Sequence, residues 1–180
     1  NGKAAEDAYL HPLNVTVLSV MLGRQLGFDS EACHSLGLGA LLHDIGKLQI
    51  PSKVLLKSEP LSRPEQQLLQ LHCEFGVRHG QELMLDDEVL RIIQEHHEYC
   101  DGSGYPKGLR EAEIHPGALL LNIADTFDAR THERAHQTLS KRPRLRAILE
   151  INNLAGQQFS AHWVEIFNRT LQEQPELARQ

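Results

Sequence analysis

Apolar residues in this chain recur at three- and four-residue steps, and no stretch sustains an alternation of apolar and polar residues. That single pattern excludes a sheet protein and predicts an all-α domain, because period 3.6 marks a helix and period 2 a half-buried strand. Residues 5–26 place Ala8, Leu10, Val15, Leu18, Leu22 and Leu26 near one face, and Gly27 ends the run. Asp29 or Ser30 caps a second helix carrying Leu36-Gly37-Leu38-Gly39-Ala40-Leu41-Leu42. Two glycines inside a helix are destabilising unless they admit close neighbours, so this helix is expected at the buried centre.

Residues 46–61, with Gly46, Pro51 and Pro60, read as a loop. Ser62-Arg63-Pro64-Glu65 forms a capping box with Pro in the first turn and opens a helix to about Leu83. Asp86 caps the next helix, through His97. A Gly-rich loop runs from Asp101 to Gly108, and helices follow at 116–131, 143–154 and 160–173. The expectation is one compact bundle of about seven helices, and 180 residues suit a single domain spanning 1–180.

The net charge of −6, counting histidine as neutral, argues against binding long nucleic acid but leaves a small phosphate ligand open. Three cysteines at irregular spacing, Cys33, Cys73 and Cys100, give no disulfide framework and fit a reducing cytoplasm. No apolar run is long enough for a membrane span and no signal peptide is present. Because the chain starts at Asn1, it reads as a piece of a longer multidomain signalling protein with an N-terminal sensor or receiver domain.

The informative count is 11 histidines. His43-Asp44 ends the most apolar helix and His96-His97 ends another, just before the Gly-rich turn. Asp125 interrupts the apolar run Leu119-Leu120-Leu121-Asn122-Ile123-Ala124, where a carboxylate wants a cation or a hydrogen-bond network. His11 shares a helix face with Asp7 one turn earlier, and His72 follows the capping box. Taken singly, each fits a solvated helix end, a cap or a core histidine as well as a ligand.

Their order is more specific. The pattern H…HD…H…HH…D, with His43-Asp44-Ile45-Gly46-Lys47 in full, resembles the HD superfamily of metal-dependent phosphohydrolases. The segment His96-His97-Glu98-Tyr99-Cys100-Asp101-Gly102-Ser103-Gly104-Tyr105-Pro106 resembles the HHExxDGxGYP signature of HD-GYP cyclic di-GMP phosphodiesterases. The likeness extends over Ile50-Pro51, Leu109, Ile114-His115-Pro116 and Ala124-Asp125-Thr126-Phe127-Asp128-Ala129, covering about residues 7–165.

The resemblance implies metal ligands at His11, His43, Asp44, His72, His96, His97 and Asp125. Asp7 stands where some members hold a third ion with Glu. It implies two or three divalent metal ions, iron or manganese, which suits a nitrogen and carboxylate set without thiolate. A hydroxide bridging the metals would attack phosphorus, with Asp44 bridging both ions and Lys47 neutralising a phosphate oxygen. The implied products are linear pGpG, GMP, or both. Arg134, and Tyr105 in the Gly-Tyr-Pro loop, are candidates to meet substrate.

Three departures bear on specificity. Arg134-Ala135-His136-Gln137 stands where the family has Arg-Pro-Tyr and a basic residue, Phe159-Ser160-Ala161 replaces Phe-Asp-Pro, and Cys100 replaces Trp. The metal set is thus complete while the substrate pocket is altered, so another cyclic or linear dinucleotide such as cyclic GMP-AMP is an alternative. A third reading is a catalytically weak signalling module that docks a partner, such as a diguanylate cyclase, through the Gly-Tyr-Pro loop.

Overall fold

A computed structural model describes the backbone of residues 2–136 and 143–175, and the side chains of 10–131 and 143–175. Helix α1 spans Gly2–Gln25 and α2 Ser30–Leu42. A 3-10 turn, Ile45–Gln49, leads to the short α3, Ser52–Leu55. Then come α4 (Arg63–Gln70), α5 (His72–Glu82) and α6 (Asp87–Glu95). A second 3-10 turn, Glu111–Glu113, precedes α7 (Pro116–His136), α8 (Pro143–Asn153) and α9 (Ala161–Glu173). Among the described residues there is no sheet, only two isolated bridges, Asp101 with Arg110 and Ala155 with Phe159. The all-α expectation holds. No helix among the described residues is long and apolar enough to cross a membrane, and the three cysteines are unpaired.

Local chemistry sets the helix ends. The Asp29 carboxylate accepts the Ala32 N–H at 2.8 Å and so satisfies one orphan donor of α2. Glu65 accepts from both the Ser62 N–H and its hydroxyl, at 2.7 and 2.8 Å, and opens α4 as its capping box predicts.

Four details differ from the sequence reading. The helix expected from Ser62 to Leu83 breaks at Leu71, whose N–H bonds back to Leu68 O in a tightened turn. The segment 46–61 is not wholly a loop, since the 3-10 turn and α3 occupy part of it. Leu10, expected on the buried face of α1, is 43% exposed, and Val15, Leu18 and Leu22 carry that face instead.

The buried centre is also α7 rather than α2. Residues Gly117 to Ala124 are all buried, whereas α2 buries only Leu36, Gly39 and Ala40. The small residues of α2 do admit close neighbours: a Cβ on Gly39 would meet Ile92 of α6 at 2.6 Å. Gly37, on the side towards α1, is less tight, its added Cβ meeting Val20 at 3.3 Å. Leu120, Leu121, Ile123, Ala124 and Phe127 of α7 pack with Val15, Leu18, Leu36, Ala40, Ile151 and Phe167 into the main core.

Polar braces join α6 to α7. The buried Glu95 carboxylate accepts from Arg91 Nε at 2.9 Å and from the His115 N–H at 2.6 Å, where α7 begins. Asn122 Nδ2 on α7 donates to Glu98 O at 3.0 Å, just beyond α6. These bonds set the register in which Asp125 faces the end of α6.

Candidate metal centre

Three of the predicted ligands stand where a helix has just ended. His43 caps α2, His72 follows the break after α4, and His96 caps α6. A helix end leaves carbonyls without intrahelical partners. Each ring donates its Nδ1–H to the carbonyl three residues back: His43 to Ala40 O at 2.6 Å, His72 to Leu69 O at 2.6 Å, and His96 to Ile93 O at 2.7 Å. The same bond that closes the helix fixes the tautomer and leaves the Nε2 lone pair pointing away from it.

Those lone pairs meet. His72 Nε2 and His96 Nε2 lie 3.3 Å apart, with the two side chains essentially buried. His43 Nε2 is 3.4 Å from Asp44 Oδ2 and 3.6 Å from Asp125 Oδ1. His11, on α1, completes this side with Nε2 at 3.1 Å from Asp125 Oδ1. Asp44 lies between the two groups, since its other oxygen, Oδ1, is 3.6 Å from His72 Nε2. His97 packs its ring against His96 and His72, with centroids 4.1 and 5.1 Å away. The seven residues expected as ligands therefore converge from five separated parts of the chain. The side chains of Asp7 and Arg134, and the whole of Gln137, lie outside the described residues.

Electrostatics divide the cluster. Burial lowers His72, His96 and His97, the last to about 4, so these rings stay neutral near pH 7 and keep their lone pairs. Burial would also lower His11, but the Asp125 and Asp128 carboxylates overcome it and raise His11 to about 10. Burial would raise Asp44, yet the His43 ring and the Lys47 ammonium hold it below the usual carboxylate range. Asp125 is held low in the same way by His11 and His43.

A divalent cation fits this donor set. His43 Nε2 and Asp44 Oδ1 are buried without a hydrogen-bond partner, which is costly unless something else neutralises them. Two imidazole lone pairs at 3.3 Å repel unless a proton or a metal ion lies between them. Imidazole and carboxylate donors suit divalent transition ions.

Sequence reasoning missed Asp128. Its Oδ2 accepts the His11 Nδ1–H at 2.6 Å, the carboxylate–histidine arrangement that orients a ligating ring. The available signal was its place three residues after Asp125, on the same helix face. Lys47 donates to Asp44 Oδ2 at 2.7 Å, so its ammonium lies at the cluster. Tyr105 stacks on His97, with centroids 4.8 Å apart, and forms a wall of the site.

The loop bearing Tyr105 is pinned from below. The buried Glu98 carboxylate accepts the Lys107 N–H at 2.6 Å and the Leu109 N–H at 2.8 Å. The Asp101 carboxylate accepts the Ser103 N–H and hydroxyl, at 2.9 and 2.6 Å. Gly102 and Gly108 take φ of +85° and +66°, a region unfavourable to other residues, and so close the loop tightly.

Comparison with known proteins identifies the family. Residues 4–161 match the HD domain family. A cyclic di-GMP phosphodiesterase of Thermotoga maritima is 34% identical over 166 residues, covering 89% of this chain and 44% of that protein. A 3'3'-cGAMP-specific phosphodiesterase of Vibrio cholerae is 35% identical over 129 residues, covering 72% and 30%. An HDG"Y"P protein of Bdellovibrio bacteriovorus has a solved structure that superimposes with a TM-score of 0.70 at 28% identity, covering 91% of this chain and 52% of that one. This chain spans less than half the length of these curated relatives. It belongs to the HD domain family and is of the HD-GYP type.

Proposed function

We propose that this chain is the catalytic unit of a metal-dependent phosphodiesterase that hydrolyses a cyclic dinucleotide, cyclic di-GMP foremost, to a linear product. One observation carries the reading: Asp44 directs one carboxylate oxygen towards His43 and the other towards His72, as a carboxylate shared by two cations would. His11, His43 and Asp125 would hold one ion, and His72, His96 and His97 the other, with iron or manganese as the metals. When bound, two divalent cations supply Lewis-acid polarisation of the phosphodiester and activation of water.

The chain's own residues do the rest. Asp128 and the helix-end carbonyls keep four of these groups, His11, His43, His72 and His96, from rotating, so little reorganisation accompanies substrate binding. Asp125 and Asp44 stay ionised and neutral His72, His96 and His97 keep their lone pairs. Lys47 lies against Asp44 and is 39% exposed, so it can exchange that contact for a phosphate oxygen and offset its charge. Tyr105 bounds the site beside His97, and Arg134 is proposed to meet a phosphate. In the longer relatives the matched segment is one part of the protein, and here too an N-terminal regulatory domain would set access to the site.

The similarity to a 3'3'-cGAMP-specific enzyme, with the departure at Ala135-His136-Gln137, supports cyclic GMP-AMP as the second substrate to test. The test is turnover of both cyclic dinucleotides, side by side, by protein loaded anaerobically with iron or manganese. A linear product is expected from at least one, and H43A and D44A should abolish it. Metal-loaded protein that binds a dinucleotide and never opens it would favour the signalling-module reading. That reading draws less support from Tyr105, which is turned onto His97.

A further inference from the structure

Cys73 follows His72 on α5 and is fully buried. Its Sγ lies 3.7 Å from His72 Nε2. Sγ and a ring nitrogen from each of His72 and His96 all fall within 4.8 Å of one another. Neither ring can turn its Nε2 away, because each Nδ1–H is committed to a helix-end carbonyl. Metal–nitrogen bonds of about 2.0–2.1 Å and metal–sulfur bonds of about 2.3 Å put ligands on one tetrahedral ion about 3.3–3.6 Å apart. The observed 3.3 Å between the two Nε2 atoms and 3.7 Å between sulfur and nitrogen meet that requirement closely. Asp44 Oδ1, buried without a hydrogen-bond partner and 3.6 Å from His72 Nε2, offers a further oxygen donor beside these and His97.

We propose that Cys73 is a metal ligand, adding a sulfur donor to the half-site of His72, His96 and His97 that Asp44 borders. This inference rests on the metal-centre reading given above and refines its chemistry. The sequence expectation assumed a set without thiolate, whereas here one half of the centre has a sulfur within reach and the His11, His43 and Asp125 half does not. A thiolate shifts that half towards thiophilic ions such as zinc or cobalt and away from manganese. Coordination exchanges the S–H bond for a sulfur–metal bond. The proton leaves to solvent, and no electron is transferred.

The test is cobalt(II) titration of the chain, read by near-ultraviolet absorption and by X-ray absorption. Wild type is expected to develop a sulfur-to-cobalt charge-transfer band and a sulfur scatterer at about 2.3 Å. C73A and C73S should still bind cobalt but lose both signals, with C33A and C100A retaining them. The double variant C33A/C100A gives the same answer with Cys73 intact, should either Cys73 variant fail to fold. Cobalt bound without the band, or a band that survives in C73A, overturns the role of Cys73 while leaving the metal centre standing. Failure of wild type to bind cobalt, zinc, iron or manganese overturns the metal centre itself.

Discussion

Replacing Gly46 by alanine should damage the site and the fold together. Gly46 lies in the 3-10 turn between Asp44 and Lys47, where the turn presses on the backbone of α5. A Cβ there would come within 2.5 Å of Gly76 N and 2.8 Å of the His72 carbonyl carbon, whereas ordinary contact begins at 3.4 Å. The neighbours are backbone atoms, so no rotamer relieves the clash, and the turn and α5 must part by roughly an ångström. Overpacking of this kind costs about 1–3 kcal/mol. The displacement falls on the gap between Asp44 Oδ1 and His72 Nε2, 3.6 Å in the structure. Misplacement of about 1 Å at such a site costs on the order of 100-fold in function. Gly37 is the control: its added Cβ would meet the Val20 side chain at 3.3 Å, and alanine gains up to about 1 kcal/mol of helix propensity. Urea denaturation of the metal-free chain, followed by divalent-metal titration, measures both effects. G46A should lose stability and bind metal far more weakly, with G37A close to wild type. A G46A protein with wild-type midpoint and metal affinity would refute the reasoning.

D128N should weaken metal binding by about 10–100-fold, because the Asp128 carboxylate orients His11; competition with a chelator measures this. Metal uptake should release protons: with no metal His11 is raised to about 10 and is charged at pH 7, and only its neutral form ligates. Affinity should therefore rise with pH up to about 10, and calorimetry in buffers of differing ionisation enthalpy counts the protons. The metal-free fold should weaken as pH falls below about 6.5. His97, lowered to about 4, favours the folded state above its unfolded value and loses that contribution as pH drops through 4; an acid titration by circular dichroism follows it. E98Q should lose about 1–3 kcal/mol, since a buried carboxylate that accepts two loop N–H groups becomes an amide able to satisfy them less well; thermal melting reads the change.

The sequence by itself determined the helices and the residues that gather at the centre. Helix periodicity and capping are local, so Asp29 and the Ser62 capping box could be placed from nearest neighbours alone. The resemblance in His43-Asp44 and in the run from His96 to Pro106 pointed to the same seven residues that the fold brings together. What the chain pattern could not carry were choices made between distant segments. The break at Leu71, the exposure of Leu10 and the central position of α7 depend on which faces pack together, and one-dimensional spacing does not record that. Tertiary structure alone decided that Asp128 would hold His11 across 117 residues of chain and that Cys73 would lie beside two imidazoles. A hydrogen bond or a ligand set is a matter of a few tenths of an ångström between groups. Only the packing of whole helices fixes such distances.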